Sequence, residues 1–459
     1  MTTDDARAYV DAQIAQWREY VLKRTGVDAA DADELESHLR DQAADLERTG
    51  LAPDESFLVA VKRLGAQHEI SREFARVHSD RLWKQLVLSG TGASGDPASD
   101  ARGRAEVRWV VGLAVLAAAA LKVPALFGVA PGSDPGFYAR NAALFALPAL
   151  AAYFAWKRAA PIATIVAVAV SFVAGGVLVN AYPFVRGGQT EGLAAIHLPI
   201  ALWLVVGVAY VGGEWRSRRR RMDFIRFTGE WVVYMSLIAL GGGVLSGITV
   251  GAFSLVDVDT FTFVGEWLLP CGAVGAAIVA AWLVESKQGV IENLAPVLTR
   301  IFTPLFAAML VVLAVAFAVS WTADAASRDA LVVLDLVLAL VLGLVLFAIS
   351  ARESLAPPGL FDVLQLVLVT AALAVDVLVL AGILGRIGEY GFTANRTAAL
   401  GENLILLVNL AWAAWLAIGF LRGRRAFAAS ERWQTAYVPV YLAWAVVVVA
   451  ALPPLFTFA

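Results

Sequence analysis

Cysteine is almost missing from this chain. One residue, Cys271, occurs in 459, and it sits inside a long apolar run, so neither an intrachain disulfide framework nor a thiolate metal site can form. Charge is also thin: Asp, Glu, Lys and Arg make up 16% of the chain, against roughly a quarter in soluble proteins. Only four histidines are present, and three of them, His38, His68 and His78, lie in the first hundred residues. Glu34 and His38 form an i, i+4 pair, but without a third ligand at helical spacing the pair reads as a solvated face and no metal is expected. Lysine is scarce beside arginine, and Ala, Gly and Val are abundant, a pattern of GC-rich bacterial coding.

Catalytic signatures are missing too. There is no Gly-x-Ser-x-Gly, no His-Glu-x-x-His and no Gly-x-Gly-Asp setting for paired intramembrane aspartates. Gly241-Gly-Gly lies within an apolar run and lacks the Lys-Ser or Lys-Thr ending that phosphate binding requires, so close helix packing is its expected role. No catalytic residue and no cofactor are therefore expected. Nor is a secretory signal peptide visible, since the first hydrophobic stretch begins only near Trp109.

What is present is apolar length. Hydrophobic residues make up 59% of the chain, and they come in runs of about 20 without charge, the length a helix needs to cross roughly 30 Å of hydrocarbon. The expected fold is all-α: a polytopic membrane protein of eleven spans with a small amino-terminal helical domain. The spans are placed at Trp109 to Ala130, Phe137 to Trp156, Pro161 to Phe184, Leu193 to Val211, Trp231 to Phe253, Phe263 to Val284, Ile301 to Trp321, Ala330 to Ile349, Phe361 to Leu384, Asn403 to Leu421, and Tyr437 to Leu455. The prolines 439, 453 and 454 leave the last span open to tilt or truncation.

Charge asymmetry orients these spans, because cytoplasmic loops collect Lys and Arg. With the amino terminus inside, cytoplasmic loops hold fourteen basic residues and the opposite loops four, Arg186, Arg328, Arg386 and Arg396. The expectation is a bacterial cytoplasmic membrane, amino terminus in the cytoplasm, carboxyl terminus outside. The cluster Arg216 and Arg218 to Arg221 then reads as an anchor beside phospholipid head groups, which makes membrane lipids an expected partner.

Residues 1–107 carry 20 acidic and 14 basic residues, an acidic balance that excludes nucleic-acid binding. Apolar residues recur by threes and fours in four sets: Val10, Ile14, Trp17 and Val21; Leu35, Leu39, Ala43 and Leu46; Phe57, Val61 and Leu64; Ile70, Phe74 and Val77. Each set lines one face of a helix. The segments Glu34-Leu-Glu-Ser-His-Leu-Arg, Thr49-Gly-Leu-Ala-Pro-Asp-Glu and Val61-Lys-Arg-Leu-Gly, with Arg72-Glu-Phe-Ala-Arg, resemble the permease prefix domain of bacterial membrane proteins. That resemblance implies a cytosolic regulatory or docking role, with a protein partner met through residues 1–88. Residues 89–107, rich in Gly, Ser, Ala, Asp and Pro, read as a flexible linker, and 108–459 as the transmembrane domain.

Ionisable residues inside spans are costly and face a bundle interior or a wet cavity. On the topology above, Lys122, Arg140, Asn180, His197, Glu266, Asp335, Asp376 and Glu402 all fall toward the outer face, with Glu230 as the exception. The expectation is an outward-facing polar vestibule, with Lys122, His197, Asp335 and Asp376 as candidate ligand groups; Asp376 is placed about eight residues from its helix end. The loop Arg386-Ile-Gly-Glu-Tyr-Gly-Phe-Thr-Ala-Asn-Arg396 adds Arg386, Glu389, Tyr390 and Arg396. This stretch, with the span pattern from Pro296 to Leu421, resembles the family called domain of unknown function 4153, whose Tyr-Gly-hydrophobic-Thr-x-x-Arg signature falls on Tyr390, Gly391, Phe392, Thr393 and Arg396. The resemblance implies a fold and no activity.

Three functions fit: a transport- or sensing-related protein using the vestibule, a regulatory scaffold for another membrane complex, and an enzyme acting on a lipid or lipid-linked substrate near Arg386, Glu389 and Arg396, where arginines can hold phosphate bidentately.

Overall fold

The computed structural model describes residues 10–11, 13–15, 17–18, 29–48, 51–65, 97–130, 132–254, 260–286, 294–319, 328–352 and 356–459. Among them every regular element is a helix, and the chain divides into two compact units, Met1–Ala105 and Glu106–Ala459. The division falls within the stretch read as a linker. Helix is already present there from Pro97.

In the first unit, helices α1 (Ala29–Arg48) and α2 (Pro53–Gly65) pack with the turns around Val10, Ile14 and Trp17. The described core holds Val10, Ile14, Trp17, Leu39, Ala43, Leu46, Phe57 and Val61 from the sets the spacing selects, with Trp17 and Leu39 wholly enclosed, and adds Ala60, which the spacing did not select. Charged groups tie the rim, Arg18 to Glu36 at 3.1 Å and Arg40 to Asp11 at 2.6 Å. His38 is exposed, as expected of a solvated face. The fourth apolar set, Ile70 to Val77, lies outside the described residues, as do His68 and His78.

The second unit is a bundle of long helices: α3 (Pro97–Lys122), α4 (Pro135–Lys157), α5 (Ile162–Ala181), α6 (Gln189–Tyr210), α7 (Arg218–Ser254), α8 (Leu269–Ser286), α9 (Leu294–Val319), α10 (Arg328–Ala351), α11 (Leu360–Tyr390), α12 (Ala394–Leu421) and α13 (Ala428–Ala450). Nine candidate helices among the described residues are long and apolar enough to cross a membrane. Each predicted span overlaps one helix, but α4 and α9 stand outside that nine: α4 carries Arg140 and Asn141 in its second turn, and the described apolar run of α9, Phe302–Val315, is short.

Several ends differ from the sequence reading. α11 runs on to Tyr390, six residues beyond Leu384, because neither Gly385 nor Arg386 stops it; only Gly391, at φ +74°, does. α6 begins at Gln189 and so takes Glu191 into its first turn. α13 starts at Ala428, accommodates Pro439 and ends at Ala450; Pro453 and Pro454 sit in a separate short turn, Leu452–Leu455. The last span is thus shifted toward the amino terminus and broken before its predicted end.

Two apolar cores divide the bundle. One is built by α3 to α8 around Leu150, Phe154, Val206, Phe227 and Ile278; the other by α9 to α12 around Leu310, Leu338, Leu368, Ala372 and Leu410. α13 lies between them, packing on α6 and α12, with Val449 in the first core. The join to α12 is close: a Cβ on Gly401 would stand 2.1 Å from the Trp444 ring. Among the described residues the Gly241-Gly-Gly run serves no contact of this kind with another helix. No described atom lies within 4 Å of a Cβ on any of its three glycines, and the apolar residues beside it, Leu240, Val244 and Leu245, are exposed.

Candidate functional site

The charged and amide side chains of the first core mostly pair with one another, although Arg140 Nε and Thr190 Oγ1 are buried without a partner among the described residues. Arg140 donates to Glu191 Oε1 at 2.7 Å, and Glu191 Oε2 accepts from the Gly187 backbone at 2.9 Å. Asn141 and Asn180 exchange amide hydrogen bonds at 3.0 and 2.7 Å. His197 is buried, and its Nδ1 meets the Leu193 carbonyl at 2.9 Å, so it is a core histidine held by its own helix.

Lys122 has a backbone duty as well. Pro270 has no N–H, so it cannot bond the carbonyl of Glu266 four residues earlier. The chain there forms a π-helical turn, Val264–Leu268, and Lys122 Nζ donates to the Glu266 carbonyl while standing 4.1 Å over the Trp267 ring. The lysine takes up an acceptor that the proline leaves orphaned.

At the opposite end of the same core lies a network that the sequence reading treated only as orienting charge. Arg158 grips Glu285 through both carboxylate oxygens at 2.9 Å, and the Glu285 side chain is 2% exposed. Lys157 reaches Glu106 at 2.7 Å and Glu285 at 3.5 Å, and Tyr153 donates to Glu106 at 2.7 Å. Both bonds to Glu285 come from Nη2, while Arg158 Nε donates to the Tyr210 carbonyl at 3.2 Å. The second core has a counterpart, Arg352 with Asp362 at 2.7 and 3.0 Å, the guanidinium lying over Phe420 and Phe427.

Arg386, Glu389, Tyr390 and Arg396 gather around the turn between α11 and α12. Arg396 donates through one nitrogen to the carbonyls of Tyr390 and Gly391 at 3.1 and 2.7 Å. Thr393 caps α12 by accepting from the Arg396 backbone at 3.4 Å, and Gly391 supplies the left-handed φ. Both arginines also lie near the Tyr390 ring, at 5.4 and 5.9 Å. The signature residues therefore build a helix hairpin: an arginine neutralises carbonyls at the end of one helix while a threonine starts the next.

Asp335, Asp376, Glu402 and Asn403 behave differently. They sit on α10, α11 and α12. Asn403 donates to Asp335 Oδ1 at 2.9 Å, yet its own Oδ1 is buried without a partner. Asp376 is 0% exposed, and among the described residues neither of its carboxylate oxygens has a hydrogen-bond partner. Asp335 is the acid whose charge bears on both Asp376 and Glu402. Because α11 ends at Tyr390, Asp376 stands fourteen residues (390 minus 376) from that end, about 21 Å at ~1.5 Å per residue. This corrects the eight-residue depth read from the sequence: Asp376 is at mid-helix.

Scans against family models, curated proteins and solved structures returned no match for this chain. The site is therefore characterised by its own geometry.

The structure separates the eight candidates accordingly. Asp335 and Asp376 come together, and Asp335 also meets Asn403 and Glu402. Arg386, Glu389, Tyr390 and Arg396 form the hairpin turn. Lys122 and His197 belong to the first core. Polar residues passed over by the sequence reading also matter: Asn409 and Gln434 exchange amide bonds at 3.0 Å between α12 and α13, and Asn409 donates to the Tyr441 hydroxyl at 2.7 Å. A signal was present for Asn409, an amide in an apolar run, but not for Gln434, which lies beside Glu431 and Arg432 ahead of the predicted last span. A cavity of about 30 Å³ near the α10–α11 connection is lined by Asp362, Gln365, Ser430 and Gln434 among apolar neighbours, room for one or two waters. It lies near the start of α11, away from the hairpin end where the vestibule was expected.

Proposed function

We propose that the chain is a transport- or sensing-related membrane protein whose ligand site is the acidic centre of the second core, with residues 1–88 as a cytosolic regulatory or docking domain. The observation that carries this reading is Asp376: a wholly buried carboxyl with two unpartnered oxygens in the middle of a long apolar helix. Such a group is expensive in an apolar bundle, and structure alone gains nothing from it. The reading includes eleven spans in a bacterial cytoplasmic membrane, with the amino terminus in the cytoplasm and the Gly391 turn outside. Charge asymmetry supports that orientation.

The test is ligand-dependent thermal stabilisation of the full chain in detergent, screened over cations, amino acids, sugars and nucleosides. A ligand at a hundred times its Kd adds about 2.7 kcal/mol; the gain should vanish in Asp376→Asn. A stabilising ligand whose effect survives both Asp376→Asn and Asp335→Asn overturns the assignment.

A regulatory scaffold is the second reading, favoured by the separate compact unit that precedes the bundle and by its resemblance to permease prefix domains. Deleting residues 1–100 distinguishes the two: a scaffold loses its whole effect, a transporter keeps basal activity. The lipid-enzyme reading is weaker, because Arg396 is occupied by the carbonyls of the hairpin.

A further inference from the structure

The acidic centre belongs to a longer seam. On α11, Asp362, Gln365, Val369, Ala372 and Asp376 follow one another by steps of three and four, which keeps them on one helix face. On α12, Asn403, Leu406, Leu410, Ala413 and Ala417 do the same, and on α10 so do Asp335, Leu338, Leu342, Val345 and Ile349. At one end, members of all three stripes line the small cavity: Val345 and Ile349, Gln365 and Val369, Ala413 and Ala417. At the other, Asn403 bonds Asp335. Between the two levels Leu338, Ala372, Leu406 and Leu410 are buried and apolar.

We propose that Asp376 is a reversible proton-binding site at the Asp335 end of this seam, with the Gln365 cavity marking the seam's other end. The inference rests on the ligand-site reading above and names its smallest ligand. The chemistry is minimal: one proton from a hydronium ion joins a carboxylate oxygen to give the neutral acid, and on release it returns to water. Burial selects the proton. A carboxylate with no cation beside it and no donor on either oxygen is far costlier in hydrocarbon than the neutral acid. The charged group that bears on it is the wrong sign to help: Asp335 from α10 is an acid, the acid of α12, Glu402, bears on Asp335, and the described side chains of α9, residues 302–315, include no ionisable group. On α11 itself, Asp362 is already gripped by Arg352, and Arg386 and Glu389 lie ten or more residues away in the hairpin. Among the described residues no three His, Cys, Asp or Glu side chains converge as a metal ion would need. Asn403 Oδ1, 0% exposed and unpartnered, is an acceptor available to the hydroxyl of a protonated acid.

Infrared spectroscopy of the full chain in liposomes reads this directly, since a protonated carboxyl has a C=O stretch distinct from that of a carboxylate. The expected result is a buried-acid band at neutral pH that fades on alkaline titration, is lost in Asp376→Asn, persists in Asp335→Asn and shifts in Asp376→Glu. The glutamate variant keeps the question answerable if the asparagine variant fails to fold. A folded wild type without the band overturns the proposal. So does a band abolished by sodium at constant pH, which would make the resident ion sodium. Because no organic ligand is required, the band can persist even if ligand-dependent stabilisation fails, so the two ideas fall separately.

Discussion

The two cores of the bundle differ in how fully their acids are paired. Around α3 to α8, each charged or amide group singled out above has a partner: Arg140 has Glu191, Asn141 has Asn180, Arg158 has Glu285, and Lys122 has an orphaned carbonyl. Around α9 to α12, Arg352 has Asp362, but among the described residues Asp376 has no hydrogen-bond partner and the side-chain oxygen of Asn403 has none. Intramembrane polarity is therefore of two kinds, one that fastens helices and one left available. Residue type does not distinguish them; connectivity does.

The comparison breaks or sharpens under substitution. Glu285→Gln should be the most damaging change, because it leaves Arg158 and Lys157 without their shared carboxylate; removing one partner of a buried pair costs about 3–5 kcal/mol, read as a fall in thermal midpoint. An unchanged midpoint would mean the first core is not held by its charges. Gly401→Ala should follow at about 1–3 kcal/mol, because the new methyl meets the Trp444 ring and overpacking has that typical cost; a Trp444→Phe background should recover part of the loss. Arg396→Gln should cost about 1 kcal/mol, the worth of hydrogen bonds to exposed helix-end carbonyls, with no effect on any ligand response. Asp376→Asn should change stability least, or raise it, since a costly unpartnered acid becomes a neutral amide. A loss as large as that of Glu285→Gln would place Asp376 among the fastening groups and erase the distinction.

Much of this was legible in the sequence, unevenly. The amino-terminal faces were, because burying a stripe of Trp17, Leu39 and Phe57 demands the 3.6-residue period that the chain displays. Helix positions were, because apolar length is a strong constraint. Helix ends were not: Gly385 and Arg386 look like a terminus, yet a glycine inside a long apolar helix is tolerated, and so the depth of Asp376 was misjudged. Lys122 looked like a site residue for want of attention to Pro270, whose missing N–H explains the lysine. Glu191 was hidden because α6 starts four residues before its predicted apolar run. Partnership is a property of three dimensions, and no spacing along the chain reveals that Arg158 on α4 ends on Glu285 of α8.

The hairpin at Gly391 carries a further lesson. Tyr390, Gly391, Thr393 and Arg396 each perform a step of chain reversal: a carbonyl to be covered, a backbone angle, a cap and a cover. A short signature built from them records how a polypeptide turns round, and chains collected by that signature would share a bend while remaining free to differ in what they carry.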